Sequence, residues 1–182
     1  MQLLINMNLS ISSNSSTNFN GIERFRPTKV DNKLMRGASV LSPFKMRTIK
    51  NNGVTQIIDL RNSAYIERPL EKLMCRLFGI KYVNYKFSHR KTDIPNKEFF
   101  ERINNAITGN QGKTYVHCQY GRHRTGLAVA VYEKAHTKKT NAEIIQNMIN
   151  NGYCEIISEG KTQKEKKYIN QFKQMWDSFF KS

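Results

Sequence analysis

Acidic residues are scarce in this chain: fourteen Asp plus Glu stand against thirty Lys plus Arg, for a formal charge of +16. A field of that sign draws in polyanions, namely nucleic acid, anionic membrane surfaces or multiply phosphorylated molecules. A solvated lysine-rich surface would give the same count. Cysteine is also sparse. Cys75, Cys118 and Cys154 are odd in number and lack metal-ligand spacing, which excludes a closed disulfide framework and gives no zinc site. A reducing, cytoplasmic compartment fits such a chain. No run approaches the roughly 18 apolar residues of a membrane span. The opening residues 1–7 lack the basic flank of a secretory signal.

With 182 residues and 38% hydrophobic content the chain can bury one sizeable core and has no room for a second. Residues 8–20 are rich in Ser and Asn. They can bury little, so residues 1–20 read as a flexible arm and 21–182 as the domain. A non-cleaved export signal of an effector protein is the other reading of the arm. There is no internal repeat.

The local signals alternate between helix and strand. Ser42 before Pro43 starts a helix that Gly53 ends, with Phe44, Met46 and Ile49 as its apolar anchors. Residues 54–60 then read as a buried strand. Residues 69–78 are helical, with Leu70, Leu73, Met74 and Leu77 on one face and Gly79 as the stop. Residues 80–85 suit another strand, and 86–95 form a polar loop. Phe99, Phe100, Ile103, Ala106 and Ile107 recur at helical spacing before a turn at 109–112 and a strand at 114–117. Residues 127–132 are apolar on nearly every side, as in a helix buried behind a loop. The capping box from Thr140 to Glu143 opens a further helix, closed at Asn151 and Gly152. Thr162 to Glu165 repeats the device ahead of a last helix carrying Tyr168, Phe172, Trp176 and Phe179 on one stripe.

One stretch concentrates the chemistry. Between the strand at 114–117 and the apolar helix lies His117-Cys118-Gln119-Tyr120-Gly121-Arg122-His123-Arg124-Thr125-Gly126. A strand, loop and helix in this order can gather backbone N–H groups and a helix N-terminus around one point, which then binds an anion. Cys118 at its base would have its thiol pKa lowered by that positive field and by Arg124, and the thiolate is a nucleophile. The guanidinium of Arg124, five residues removed, can hold two phosphoryl oxygens at once. A lone Cys and Arg at this spacing would be weak grounds, since buried cysteine usually serves as a small hydrophobe.

The extended pattern resembles the signature of the cysteine-dependent protein tyrosine phosphatases, compact dual-specificity branch, in His117, Cys118, Gly121, Arg124, Thr125 and Gly126. The Gly-Arg-His-Arg-Thr-Gly run is similar to atypical members, some of which act on inositol pyrophosphates. Lys33 to Gly37 looks like the segment preceding the first helix in that branch, and Asp59-Leu60-Arg61 like its strand end. The resemblance implies an α/β domain, a central mainly parallel twisted sheet of four to five strands flanked by helices. It implies catalysis by Cys118, Arg124 and Thr125 with neither metal nor cofactor. Asp93, in Asp93-Ile94-Pro95, stands where the family keeps its general acid, with His89 the weaker substitute. His117 would orient the loop. Gln119, Tyr120, Arg122 and His123, with Gly121 and Gly126, would bind substrate at the mouth. Asp59 has a structural role, pairing with Arg36. Cys75 or Cys154 could form a reversible disulfide with oxidised Cys118, although inert thiols fit equally.

Four functions stay open on these residues. The leading one is a tyrosine or dual-specificity protein phosphatase acting on phosphorylated protein. The others are an inositol polyphosphate or phosphoinositide phosphatase, an RNA 5′-triphosphatase, and a phosphate-binding module without turnover. The residues leave the oligomeric state undecided.

Overall fold

The computed structural model describes residues 18–19, 21–62, 64–86 and 95–153. The arm over 1–17, the loop residues His89 and Asp93, Cys154 and the helix expected near 168–180 lie outside the described residues.

A short hairpin, β1 (Asn18–Phe19) and β2 (Ile22–Glu23), leads into β3 (Arg26–Pro27), which runs antiparallel to β4 (Leu34–Gly37). The chain then alternates: helix α1 (Pro43–Asn51), strand β5 (Val54–Asp59), helix α2 (Glu67–Leu77), strand β6 (Lys81–Asn84), helix α3 (Lys97–Thr108) and strand β7 (Lys113–His117). Helix α4 (His123–His136) and helix α5 (Asn141–Met148) follow, and a wide turn over Ile149–Tyr153 continues α5. The main sheet has the order β3-β4-β7-β5-β6, with β4, β7, β5 and β6 mutually parallel. A mainly parallel five-stranded sheet between helices is therefore the architecture, as expected.

Sequence explains the layers. In β5 both Ile57 and Ile58 are fully buried, as a parallel strand covered on both faces requires. Ile57, Met35 and Tyr115 face Met46 and Ile49 of α1 and Met74 of α2. Ile58, Leu34 and Val116 face Phe100, Ile103 and Ile107 of α3 and Leu127, Ala128 and Tyr132 of α4. The helices thus change faces between β6 and β7, and β7 inserts between β4 and β5. A crevice at the carboxyl ends of strands beside such a reversal is where open α/β sheets bind ligands. The loop after β7 opens there.

The caps fall where the residues place them. Ser42 accepts from the Lys45 N–H with Pro43 at the first helical position, and Thr140 and Glu143 form the reciprocal capping box. Three expectations are corrected. Helix α2 begins at Glu67 rather than Pro69, and its buried face is Glu71, Met74 and Cys75, while Leu70, Leu73 and Leu77 are exposed. Phe44 is exposed, so α1 is anchored by Met46 and Ile49 alone. Asp59 does not pair with Arg36, because β7 separates their strands and Arg36 points to the α4 side with Leu34. Among the described residues no helix is long and apolar enough to cross a membrane.

Candidate active site

The loop from His117 to Gly126 is shaped from outside. Three of its carbonyls are drawn away from the centre: Gln119 O accepts from the Ser39 N–H (3.3 Å), Tyr120 O from Arg24 Nη1 (3.3 Å) and Gly121 O from Arg36 Nη2 (2.6 Å). A peptide whose carbonyl turns outward presents the next N–H inward. The loop becomes a ring of donors without any ligand to organise it.

Gly121 makes the close approach that this arrangement needs. Its φ is +65°, and a Cβ there would sit 2.5 Å from the Gly37 carbonyl group and 2.8 Å from Ala38 N. Both partners are backbone and cannot swing aside. Gly121→Ala is therefore expected to push the loop off β4 and to lower kcat/KM by about 10²-fold or more, the scale at which a misplacement of about 1 Å acts. Steady-state kinetics beside a thermal melt checks this, since a loop fault lowers kcat/KM far more than it lowers Tm.

Cys118 lies at the floor of the ring, 4% exposed. Burial alone would raise its thiol pKa, but the Thr125 hydroxyl, the Arg124 charge and the Thr125 and Tyr120 N–H groups outweigh it and the net shift is downward. Thr125 Oγ1 is itself buried and has no oxygen or nitrogen partner, which turns it to the sulfur. Cys75 is the opposite case. It lies in the core on the other side of the sheet, and burial, then the charges of Glu71 and Asp59, push its thiol up to about 12. Cys118 should thus be alkylated by iodoacetate at neutral pH with a rate that inflects below the ordinary thiol pKa, while Cys75 stays unreacted in the folded chain. Peptide mass mapping across pH checks both halves. Equal labelling would contradict the assignment.

Arg124 Nη1 donates to Leu60 O at 3.1 Å. The end of β5 thereby fixes the guanidinium at the loop. Tyr120 projects into solvent, 62% exposed, whereas Gln119, Arg122 and His123 are half-buried. Gly126 starts the helical ladder by donating to Arg122 O at 2.7 Å, and α4 directs its positive end at the same point.

Beneath the floor sits a buried ionic cluster that sequence reasoning missed. His117 Nδ1 lies 3.2 Å from Cys118 O, and Nε2 lies 3.3 Å from Glu71 Oε1. Glu71 also accepts from the Val40 N–H at 3.1 Å and from Arg61 Nη2. Arg61 closes the cluster by gripping Asp59 through Nε (2.9 Å) and Nη2 (3.0 Å). Asp59, Glu71 and His117 are close enough together to ligate a cation, yet the Arg61 guanidinium already supplies positive charge to both carboxylates. Asp59-Leu60-Arg61 was readable as a motif, but Glu71 and Arg24 carried no local signal, because each acts on residues distant in sequence.

Comparison with known proteins places the chain by family and fold. Residues 8–180 match the family model described as a dual-specificity-type protein tyrosine phosphatase domain, "DSP-PTPase phosphatase fused to NAD+ Kinase". Mouse dual specificity protein phosphatase CDC14A is 29% identical over 96 residues, 53% of this chain and 15% of that protein, so the match spans a small part of the relative. A protein tyrosine phosphatase-like phytase from Bdellovibrio bacteriovorus superposes with a TM-score of 0.66 at 14% identity, over 86% of this chain and 82% of that one. The structure of PTPMT1 in complex with PI(5)P superposes at 0.58 with 15% identity, over 83% and 98% of the two chains.

Proposed function

Since the chain belongs to the family of dual-specificity-type protein tyrosine phosphatase domains found fused to NAD+ kinase, we propose that it hydrolyses phosphomonoesters through a phosphocysteine on Cys118, with phosphorylated protein as substrate. The carrying observation is the union of a downshifted buried thiol with a preformed ring of donors and one anchored arginine. The Cys118 sulfur attacks phosphorus, and the bond to the leaving oxygen breaks. Arg124 and the loop N–H groups hold the three equatorial oxygens, gaining strength as charge spreads over them in the transition state. Thr125 stabilises the thiolate when water later displaces it.

Asp93 is assigned the proton transfer, to the leaving oxygen first and from water second. The assignment rests on its place in Asp93-Ile94-Pro95. That segment joins β6 to α3, and β6 ends at Asn84, whose Nδ2 donates to Asp59 O (2.7 Å) beside the loop. The chemistry requires no metal and works in a reducing, cytoplasmic setting.

A second reading, an inositol polyphosphate or phosphoinositide phosphatase, draws on Arg122 and His123 at the loop and on the +16 charge. It also draws on the likeness to a phytase and to a protein crystallised with PI(5)P. Phosphate release with chelator present, from a phosphotyrosine peptide, an inositol polyphosphate and a triphosphorylated RNA, separates the readings. The peptide is expected to be turned over fastest, and Asp93→Asn to slow it about 10²-fold or more. Preference for the inositol polyphosphate would establish the second reading, and preference for the RNA would refute both.

A further inference from the structure

Behind the active loop, between β3, β4, α4 and the turn after α5, lies a cavity of about 430 Å³. Arg26, Thr28, Lys29 and Arg36 line it together with Val129 and Met148. Arg26 and Arg36 are directly opposed across the antiparallel rung of β3 and β4. Two like charges in that position repel, and a bound anion between them would relieve the repulsion. Among the described residues no carboxylate pairs with either guanidinium. Arg36 is 3% exposed, and its Nε is buried without a partner, as are Arg26 Nε and Thr28 Oγ1. Among the described residues that line the cavity the one carboxylate, Glu133, is already bonded by Lys139 Nζ (2.5 Å) and Asn147 Nδ2 (2.8 Å). Burial, followed by the Arg26 charge, pulls the Arg36 guanidinium down to about 9, against a smaller opposing pull from the Cys118 charge.

We propose that this cavity is a second anion-binding site, separate from the catalytic loop, which takes the phosphate of a small phosphorylated organic molecule on Arg26, Arg36 and Thr28. The volume falls in the range of about 300–1,000 Å³ usual for small-molecule sites, larger than bare phosphate needs, and the Val129 and Met148 wall suits a carbon skeleton. Arg36 Nη2 grips the outward face of Gly121 O, so the cavity is at the back of the loop and the ligand is distinct from the molecule being dephosphorylated. Through the same bond, occupancy is felt at the loop.

The test blocks the catalytic loop first. Full-length protein carboxymethylated at Cys118 is titrated calorimetrically with inorganic phosphate and with glycerol 2-phosphate. One equivalent of each is expected to bind, glycerol 2-phosphate more tightly. Arg26→Gln should weaken both at least tenfold, and the near-isosteric Thr28→Val severalfold with Tm maintained. A loss with Arg26→Gln alone, in a variant whose Tm has fallen, counts against the site unless Thr28→Val also weakens binding. Absence of binding to the alkylated protein, or binding that neither substitution changes, overturns the proposal. So does an inositol polyphosphate that takes up a single equivalent on unmodified protein and thereby abolishes glycerol 2-phosphate binding to Arg26 and Arg36, for then the anion belongs to the substrate.

Discussion

Cys118→Ser is expected to reduce phosphate release by about 10⁴-fold or more, the scale seen when a covalent nucleophile is lost, with little change in substrate binding. The reason lies in what the loop contributes separately. Its donors and Arg124 bind the phosphoryl group whether or not the sulfur is present, so KM is largely preserved. Asp93 must be protonated in the first step to serve the leaving oxygen, so it cannot also take a proton from a serine hydroxyl, and the field that favours the thiolate cannot bring an alcohol into its anionic form at neutral pH. Binding of a phosphotyrosine peptide to the variant, measured beside its turnover, checks both sides. Loss of binding together with turnover would mean that the substitution collapsed the loop.

Arg61→Met carries the largest expected effect on stability. Arg61, Asp59 and Glu71 are each no more than 1% exposed, and the guanidinium is the cation that both carboxylates share. Removing it leaves two buried anions near one another, with the residue-61 backbone N–H (2.8 Å) and the Tyr82 hydroxyl (2.7 Å) still on Asp59, and the Val40 N–H (3.1 Å) and the His117 ring (3.3 Å) still at Glu71. Breaking a buried pair in this way costs about 3–5 kcal/mol, which for a domain of this size lowers Tm by roughly 6–20 °C. Adding Asp59→Asn and Glu71→Gln to Arg61→Met removes the stranded charges and should restore a large part of the loss. A single-variant Tm within about 2 °C of wild type would show that the cluster is not held by Arg61.

The pH dependence of this cluster has opposing parts. The Asp59 pKa lies below the usual carboxylate value: burial raises it, but the His117 charge and the Arg61 bonds lower it further. Its contribution to stability is present above the unfolded pKa and is lost as pH falls through the lower folded one. Burial raises the Glu71 pKa instead, so protonation of Glu71 on acidification favours the folded state. Glu71→Gln removes the second part. It should remove the gain that acidification brings above the ordinary Glu range and leave the Asp59 decline, which lies below the ordinary Asp value, in place; thermal melts across pH check both.

How much of this could be read beforehand depended on the range of the interaction. Ser42-Pro43 and the Thr140 capping box are local devices, in which each residue acts on backbone within a few positions, and the strand-loop-helix order around His117 to Gly126 is likewise a local pattern; each lies where the residues indicate. Helix α2 shows the limit. Periodicity there supports two stripes, Leu70-Leu73-Leu77 and Glu71-Met74-Cys75, and hydrophobicity favours the first. The second is buried because Arg61, Val40 and His117 compensate Glu71 from elsewhere in the chain. The Asp59 to Arg36 pairing failed for a related reason: which strand lies between β4 and β5 is a matter of topology, and β7 enters that place from 113–117. The outward pull of Arg24, Ser39 and Arg36 on the loop carbonyls is likewise invisible until the chain is folded.

The covalent step on Cys118 is tested most directly by trapping it. Asp93→Asn protein is mixed with a phosphotyrosine peptide, quenched in acid within the first turnover and mapped by mass spectrometry. A single phosphoryl group on the peptide containing Cys118, absent from Cys118→Ser and from Cys75, is the predicted result. Turnover of the same substrate with no phosphoryl group on Cys118 at any quench time would contradict it.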